Sequence, residues 1–128
     1  MTSGGESGMR DERFITKSEQ YALIYDKGST WVDNLLVMKS MPNGLPLARY
    51  GFSISKRVGK AVIRNRIRRR LREILRLSPL QPGWDAVFIA RPEASMTDCT
   101  TLSKSVVSLL SRARLLAKEN EEVKLRDN

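Results

Sequence analysis

Histidine is absent from the 128 residues, and cysteine occurs once, at Cys99. The missing histidine removes Ser-His-Asp and Cys-His nucleophilic chemistry, together with the commonest metal ligand. A single cysteine excludes a disulfide framework within the chain and fits a reducing compartment; near a helix start it reads as inert rather than reactive. Long hydrophobic runs are missing too. Nothing approaches the ~20 apolar residues that cross a bilayer, and no signal-peptide pattern opens the chain. The 14 acidic residues are scattered and form no recognisable two-metal carboxylate cluster. What is left, 41% hydrophobic and 29% charged at single-domain length, is enough for one core. These absences describe a cytoplasmic protein, away from membranes, with no catalytic residues and no metal site of its own.

Positive charge is what the chain has in excess, and it sits in one place. The 21 residues from Lys56 to Arg76 hold ten basic side chains and one acid, Glu73, a net +9 that equals the net charge of the whole chain. The rest is neutral. A solvated helix face normally mixes signs, because like charges four residues apart each destabilise a helix by a few tenths of a kcal/mol. Here Arg64/Arg68, Arg66/Arg70, Arg68/Arg72 and Arg72/Arg76 are all like-charged pairs with almost nothing opposing them. Arginine outnumbers lysine eight to two in the segment. Its planar fork matches phosphate oxygens and stacks on bases, so the natural partner is a nucleic acid.

The remaining pattern predicts an α+β sandwich in the order α-β-β-α-β-α. A first helix is expected over Thr16–Lys27, with Thr16 and Glu19 at capping-box spacing, Gly28 beyond its end, and Tyr21, Ile24 and Tyr25 on one face. Trp31–Met41 and Arg49–Ser55 read as strands joined by the turn Pro42-Asn43-Gly44-Leu45-Pro46, pairing as an antiparallel hairpin. A helix over about Gly59–Leu77 follows, with Ile63, Ile67, Leu71, Ile74 and Leu75 as an inward stripe. Arg64 and Arg70 flank that stripe, and Asn65, Arg66, Arg68, Arg69, Arg72 and Arg76 face outward. Trp84–Arg91 reads as an interior strand stopped by Pro92, and a last helix is expected over about Thr97–Ala117, with Leu102, Val106, Leu109, Leu110 and Ala113 inward.

The run SKRVGKAVIRNRIRRRLRE, Ser55–Glu73, carries a more specific signal. A strand ending Ser-Lys-Arg, then Gly-Lys-Ala-Val, then Arg-Asn-Arg at Arg64, Asn65 and Arg66, resembles the protein subunit of bacterial ribonuclease P. With the element order and length, the likeness covers roughly Arg10–Leu116. The resemblance implies a ribosomal-protein-like α/β sandwich with a left-handed β-α-β crossover, and a basic helix that contacts a catalytic RNA. It implies a cleft between the first helix and the sheet for the single-stranded 5′ leader of precursor tRNA. Hydrolysis is then done by the RNA with Mg²⁺, which the RNA mainly holds, to release the mature tRNA 5′ end.

Carried onto this chain, the ribonuclease P RNA contacts are Lys56, Arg57, Lys60, Arg64, Asn65, Arg66, Arg68, Arg69 and Arg72. The leader contacts are Tyr21 and Tyr25 on the first helix, with Phe14, Ser53 and Ser55 assisting. Aromatic rings suit that task, since each stacks on an unpaired base for about 1–3 kcal/mol without demanding a sequence. Packing of both tyrosines on the sheet is the plainer alternative. Asn65 has two readings, RNA contact or a local hydrogen bond. Gly59 permits an unusual backbone or a close approach to RNA. A further aromatic usual on the family's first strand is missing; Leu36, Met38 or their neighbours stand in its place. The domain reading is 1–9 as a disordered N-terminus or expression remnant, Met9 being the natural start, 10–117 as one RNA-binding domain, and 118–128 as a charged tail. No obligate protein partner is implied. A structural ribosomal or ribosome-assembly RNA-binding protein is the alternative that the same basic helix on a small sandwich allows; a DNA-reading helix fits less well, because no helix-turn-helix pairing precedes it.

Overall fold

A computed structural model describes residues 14–117; the polar N-terminus and the charged tail lie outside the described residues. The elements are α1 (Ser18–Lys27), β1 (Ser29–Val32), β2 (Leu36–Pro42), β3 (Arg49–Ser53), α2 (Ala61–Leu77), β4 (Trp84–Ala90), a 3₁₀ turn (Pro92–Met96) and α3 (Cys99–Arg112). The strands form one sheet in the order β1-β2-β4-β3. β1 and β4 each run antiparallel to β2, whereas β3 is parallel to β4. The α+β sandwich is as expected, with one strand more than expected.

That extra strand comes from a break in the stretch Trp31–Met41. Asp33 takes the Leu35 amide on its carboxylate at 3.0 Å, and its own N–H donates to the Leu36 carbonyl at 2.9 Å. This local side-chain-to-backbone bonding turns the chain and folds residues 29–42 into a hairpin of their own. The expected hairpin between the second and third elements does not form, because β4 lies between them: Val37 is opposite Ile89, and Gly51 is opposite Val87. The physical reason is burial on both faces. Asp85, Ala86, Val87 and Phe88 are all buried, which requires an interior position, whereas β3, with Gly51 and Ser53 on one face, suits the edge. That edge is covered at one point, where the Ile15 amide donates to the Tyr50 carbonyl at 2.7 Å.

Two cores follow from strand alternation. On one face, Leu36, Met38, Tyr50 and Phe88 pack against Ile67, Leu71, Leu102 and Leu109 of α2 and α3. On the other face, α1 covers Ile15 and Val87 with Ile24, and Tyr21, Met41 and Ile89 pack around them. The α2 stripe is as the periodicity predicts: Ile67, Leu71, Ile74 and Leu75 are buried and Ile63 partly so.

Helix ends differ from the expectation. α1 starts at Ser18, and Gln20, not Glu19, reaches back to the Lys17 amide at 3.4 Å. Gly28 is extended; a side chain there would press on the Ile24 carbonyl at 2.6 Å, so glycine is needed for space and not for a left-handed turn. α3 stops at Arg112 because Arg114 takes a left-handed φ of 60°. The Leu115 amide then returns to the Leu110 carbonyl at 2.8 Å, and Leu115–Ala117 run beside Leu80 instead of continuing the helix.

Candidate nucleic-acid interface

β3 leads into a tight turn before α2. The Ser55 hydroxyl accepts the Arg57 amide at 3.3 Å, the Val58 amide donates to the Ser55 carbonyl at 3.0 Å, and Val58 is buried as the anchor. The turn holds Lys56, Arg57 and Lys60 exposed. Gly59 has a φ of +156°, and a side chain there would meet Ile63 at 3.0 Å, so a bare backbone lets the turn close onto the helix. Lys60 is the N-cap, no side chain caps it, and the first turn of α2 contains no acid. Amide groups and helix dipole at that end favour an anion, while the lysines and arginine around it repel one another.

The arginines of α2 are not equivalent. Arg64, Arg66 and Arg70 spend donors on the protein's own backbone: Arg64 Nε on the Gly59 carbonyl at 3.1 Å, Arg66 Nη2 on Ser95 at 3.2 Å, and Arg70 Nη1 on Thr97 at 3.0 Å. Arg66 Nε is buried with no hydrogen-bond partner among the described residues. Asn65 is exposed and accepts from Arg68 Nη1, one turn along the same helix, at 3.1 Å. Arg72 lies over the Phe14 ring at 5.3 Å from its centroid, and Arg76 pairs with Glu73. Lys56, Arg57, Lys60 and Arg69 are exposed, and their side chains make no hydrogen bond or ion pair with the described residues.

A second surface lies where α1 crosses the sheet. The rings of Tyr21 and Tyr25 stand 6.2 Å apart at 57°, with Tyr21 half-buried and Tyr25 40% exposed. Burial pushes the Tyr21 hydroxyl above its ordinary value near 10, while the polar backbone at Phe52 and the charge of Arg68 pull the other way. Tyr21 lies against Gly51, and Ser53 is on that same side of β3. Ser55 is in the turn beyond, its hydroxyl committed to the Arg57 amide.

Phe14 is not brought to the tyrosines. Its ring meets Tyr50 at 6.0 Å and Phe52 at 6.1 Å, the neighbours of Gly51 that point to the opposite face. Leu36 and Met38 cannot replace the missing strand aromatic either, since both are wholly buried toward α2 and α3. The neighbouring Lys39 stands near Tyr25 instead, with Nζ 3.4 Å from the Tyr25 carbonyl and 2.8 Å from Thr30 Oγ1. Reasoning from sequence misses Lys39; the one signal for it is its alternation with Met38 on β2. Among the described residues no three acidic or cysteine side chains gather as a metal site, and no helix is long and apolar enough to cross a membrane.

Residues 9–114 match the family model described as Ribonuclease P. The chain is 45% identical over 114 residues to a "Ribonuclease P protein component" of Dehalococcoides mccartyi, covering 89% of this chain and 95% of that one. It is 41% identical over 103 residues to the protein of the same name from Caldanaerobacter subterraneus subsp. tengcongensis, covering 79% and 89%. Among solved structures it resembles a Staphylococcus aureus RNase P protein mutant described as defective in mRNA degradation, with a TM-score of 0.81 at 28% identity over 90% of this chain and 99% of that one. The Thermotoga maritima RNase P protein gives 0.72 at 28% identity, over 77% and 94%.

Proposed function

The chain belongs to the ribonuclease P protein family, as a subunit of the endonuclease that processes tRNA 5′ ends, and we propose that it divides that work between two surfaces. The turn and outer face of α2 grip the ribonuclease P RNA through Lys56, Arg57, Lys60, Arg69 and Arg72, with Arg68 at the border toward Tyr21. Arg64, Asn65 and Arg66 shape that surface and offer their remaining donors to it. Tyr21, Tyr25 and Ser53, with Lys39 and Arg68 as flanking cations, hold the single-stranded 5′ leader of precursor tRNA. The observation that carries the reading is that the chain's entire net charge lies between Lys56 and Arg76, against an otherwise neutral domain.

Each surface has a physical task. Cations on α2 offset phosphate repulsion where the catalytic RNA and its substrate come together, lowering the need for free divalent cations. The tyrosines stack on unpaired bases and so favour precursor over mature tRNA. Hydrolysis of the phosphodiester takes place on the RNA, with Mg²⁺ held there, and the complex works in the cytoplasm. The test is cleavage of a precursor tRNA by ribonuclease P RNA at low Mg²⁺, with and without this protein. Strong stimulation is expected, with no cleavage by the protein alone. Absence of stimulation by a folded, RNA-binding protein would overturn the reading in favour of a ribosomal-type role.

A further inference from the structure

Gly51 sits inside a strand, where glycine packs nothing and usually marks a close approach of another group. Here that group is Tyr21. A first side-chain carbon on Gly51 would stand 2.7 Å from the Tyr21 hydroxyl oxygen and 3.0 Å from two of its ring carbons, Cε1 and Cζ. The ring tip therefore lies on bare backbone, and from there reaches Tyr25 at 6.2 Å.

We propose that Gly51 is a positioning residue for substrate: it seats Tyr21 so that the tyrosine pair presents one stacking surface to an unpaired nucleotide of the leader. The proposal rests on the reading of Tyr21 and Tyr25 as the leader surface. The three atoms nearest a methyl group at Gly51 all belong to the far end of the Tyr21 side chain, so the ring yields before the strand does. Val87, opposite Gly51 in the parallel register, keeps its pairing, and α2 is untouched.

The test uses the holoenzyme reconstituted with ribonuclease P RNA and four proteins: wild type, Gly51→Ala, Tyr21→Ala and the double variant. Affinity is measured for precursor tRNA and for mature tRNA. Gly51→Ala and Tyr21→Ala each weaken precursor binding by about fivefold or more, the lower end of what one base stacked on a ring is worth. The double variant is no weaker than Tyr21→Ala, because a seat has no role without its ring, and mature tRNA binding does not move. In the free protein, the nuclear Overhauser effects between the Tyr21 ring and the backbone protons of residue 51 weaken in Gly51→Ala. If Gly51→Ala lowers thermal stability, removing the ring restores it, so the double variant melts with Tyr21→Ala. Wild-type precursor affinity in Gly51→Ala beside a weakened Tyr21→Ala overturns the proposal, as do losses that multiply in the double variant. Wild-type affinity in Tyr21→Ala itself marks the separate failure of the leader reading, and the proposal falls with it.

Discussion

The Arg66 guanidinium donates to the backbone carbonyl of Ser95 at 3.2 Å, and so ties the most basic helix to the 3₁₀ turn that follows the central strand. Arg70 repeats the arrangement one helical turn later on the Thr97 carbonyl at 3.0 Å. α2 thus lowers its own crowding of like charge by turning two guanidinium groups inward onto carbonyl dipoles. Arg69, between them, is left on the outer face. Helical spacing puts Arg66 with Arg69 on the outer face and Arg70 on the flank; in the fold Arg66 instead joins Arg70 as a clamp that holds the protein together, and Arg69 is left exposed.

The clamps carry stability. Arg70→Ala removes a part-buried charged hydrogen bond and lowers unfolding free energy by about 1.5 kcal/mol or more in urea denaturation. Arg69→Ala, which forfeits no such partner, leaves stability unchanged or slightly raised through relief of repulsion.

The free cations carry salt dependence. Lys56→Ala, Arg57→Ala and Arg69→Ala each weaken binding to ribonuclease P RNA and flatten the slope of log K against log salt, by about 0.7–0.9 for each phosphate no longer neutralised. Filter-binding titrations across a salt series give the slopes. Arg70→Ala, once corrected for its folded fraction, keeps a slope closer to that of the wild type.

Asp85 holds the sheet end beside α1. Its carboxylate takes Arg49 through two hydrogen bonds, at 2.9 and 2.7 Å, and Asn43 Nδ2 at 2.9 Å, with the Asp85 side chain 5% exposed. Removing one partner of a buried pair leaves the other charge uncompensated, so Asp85→Ala costs about 3 kcal/mol in chemical denaturation. Arg49→Ala/Asp85→Ala costs less than the sum of the two single changes.

Asp98 gives α3 an acid-sensitive start. Its carboxylate accepts the Thr101 amide at 2.7 Å, and hydrogen bonding at Thr101 holds its pKa below the ordinary 3.8. A lowered carboxyl pKa means that the charged form is favoured in the folded state. Its contribution is therefore complete above about pH 4 and is lost as pH falls through the lowered value. Asp98→Ala melts below the wild type at pH 7, and the gap closes on acidification; a gap constant down to pH 2 would contradict this assignment.

Local chemistry is legible in the sequence where one stretch carries it whole. The α2 stripe from Ile67 to Leu75, the interior character of β4 and the concentration of charge all follow from spacing along the chain. Partners chosen across the fold are not legible. That β4 separates β2 from β3 depends on burial of both its faces, and the Trp31–Met41 break depends on the bonds of one side chain, Asp33. The division of the arginines depends on carbonyls at Ser95 and Thr97, 29 and 27 residues away, and the place of Phe14 depends on the register of its bridge to Tyr50. Gly51 reads as an ordinary strand glycine until Tyr21 lies over it.

The central claim is that assembly and substrate grip are separate surfaces. The direct measurement compares Tyr21→Ala/Tyr25→Ala with Lys56→Ala/Arg57→Ala/Arg69→Ala for affinity to ribonuclease P RNA, and for holoenzyme affinity to precursor and mature tRNA. The tyrosine variant should assemble like the wild type and lose the preference for precursor over mature tRNA. The cation variant should assemble weakly yet keep that preference once saturated with RNA. Equal effects of both variants on assembly, with precursor preference intact in each, would contradict the account.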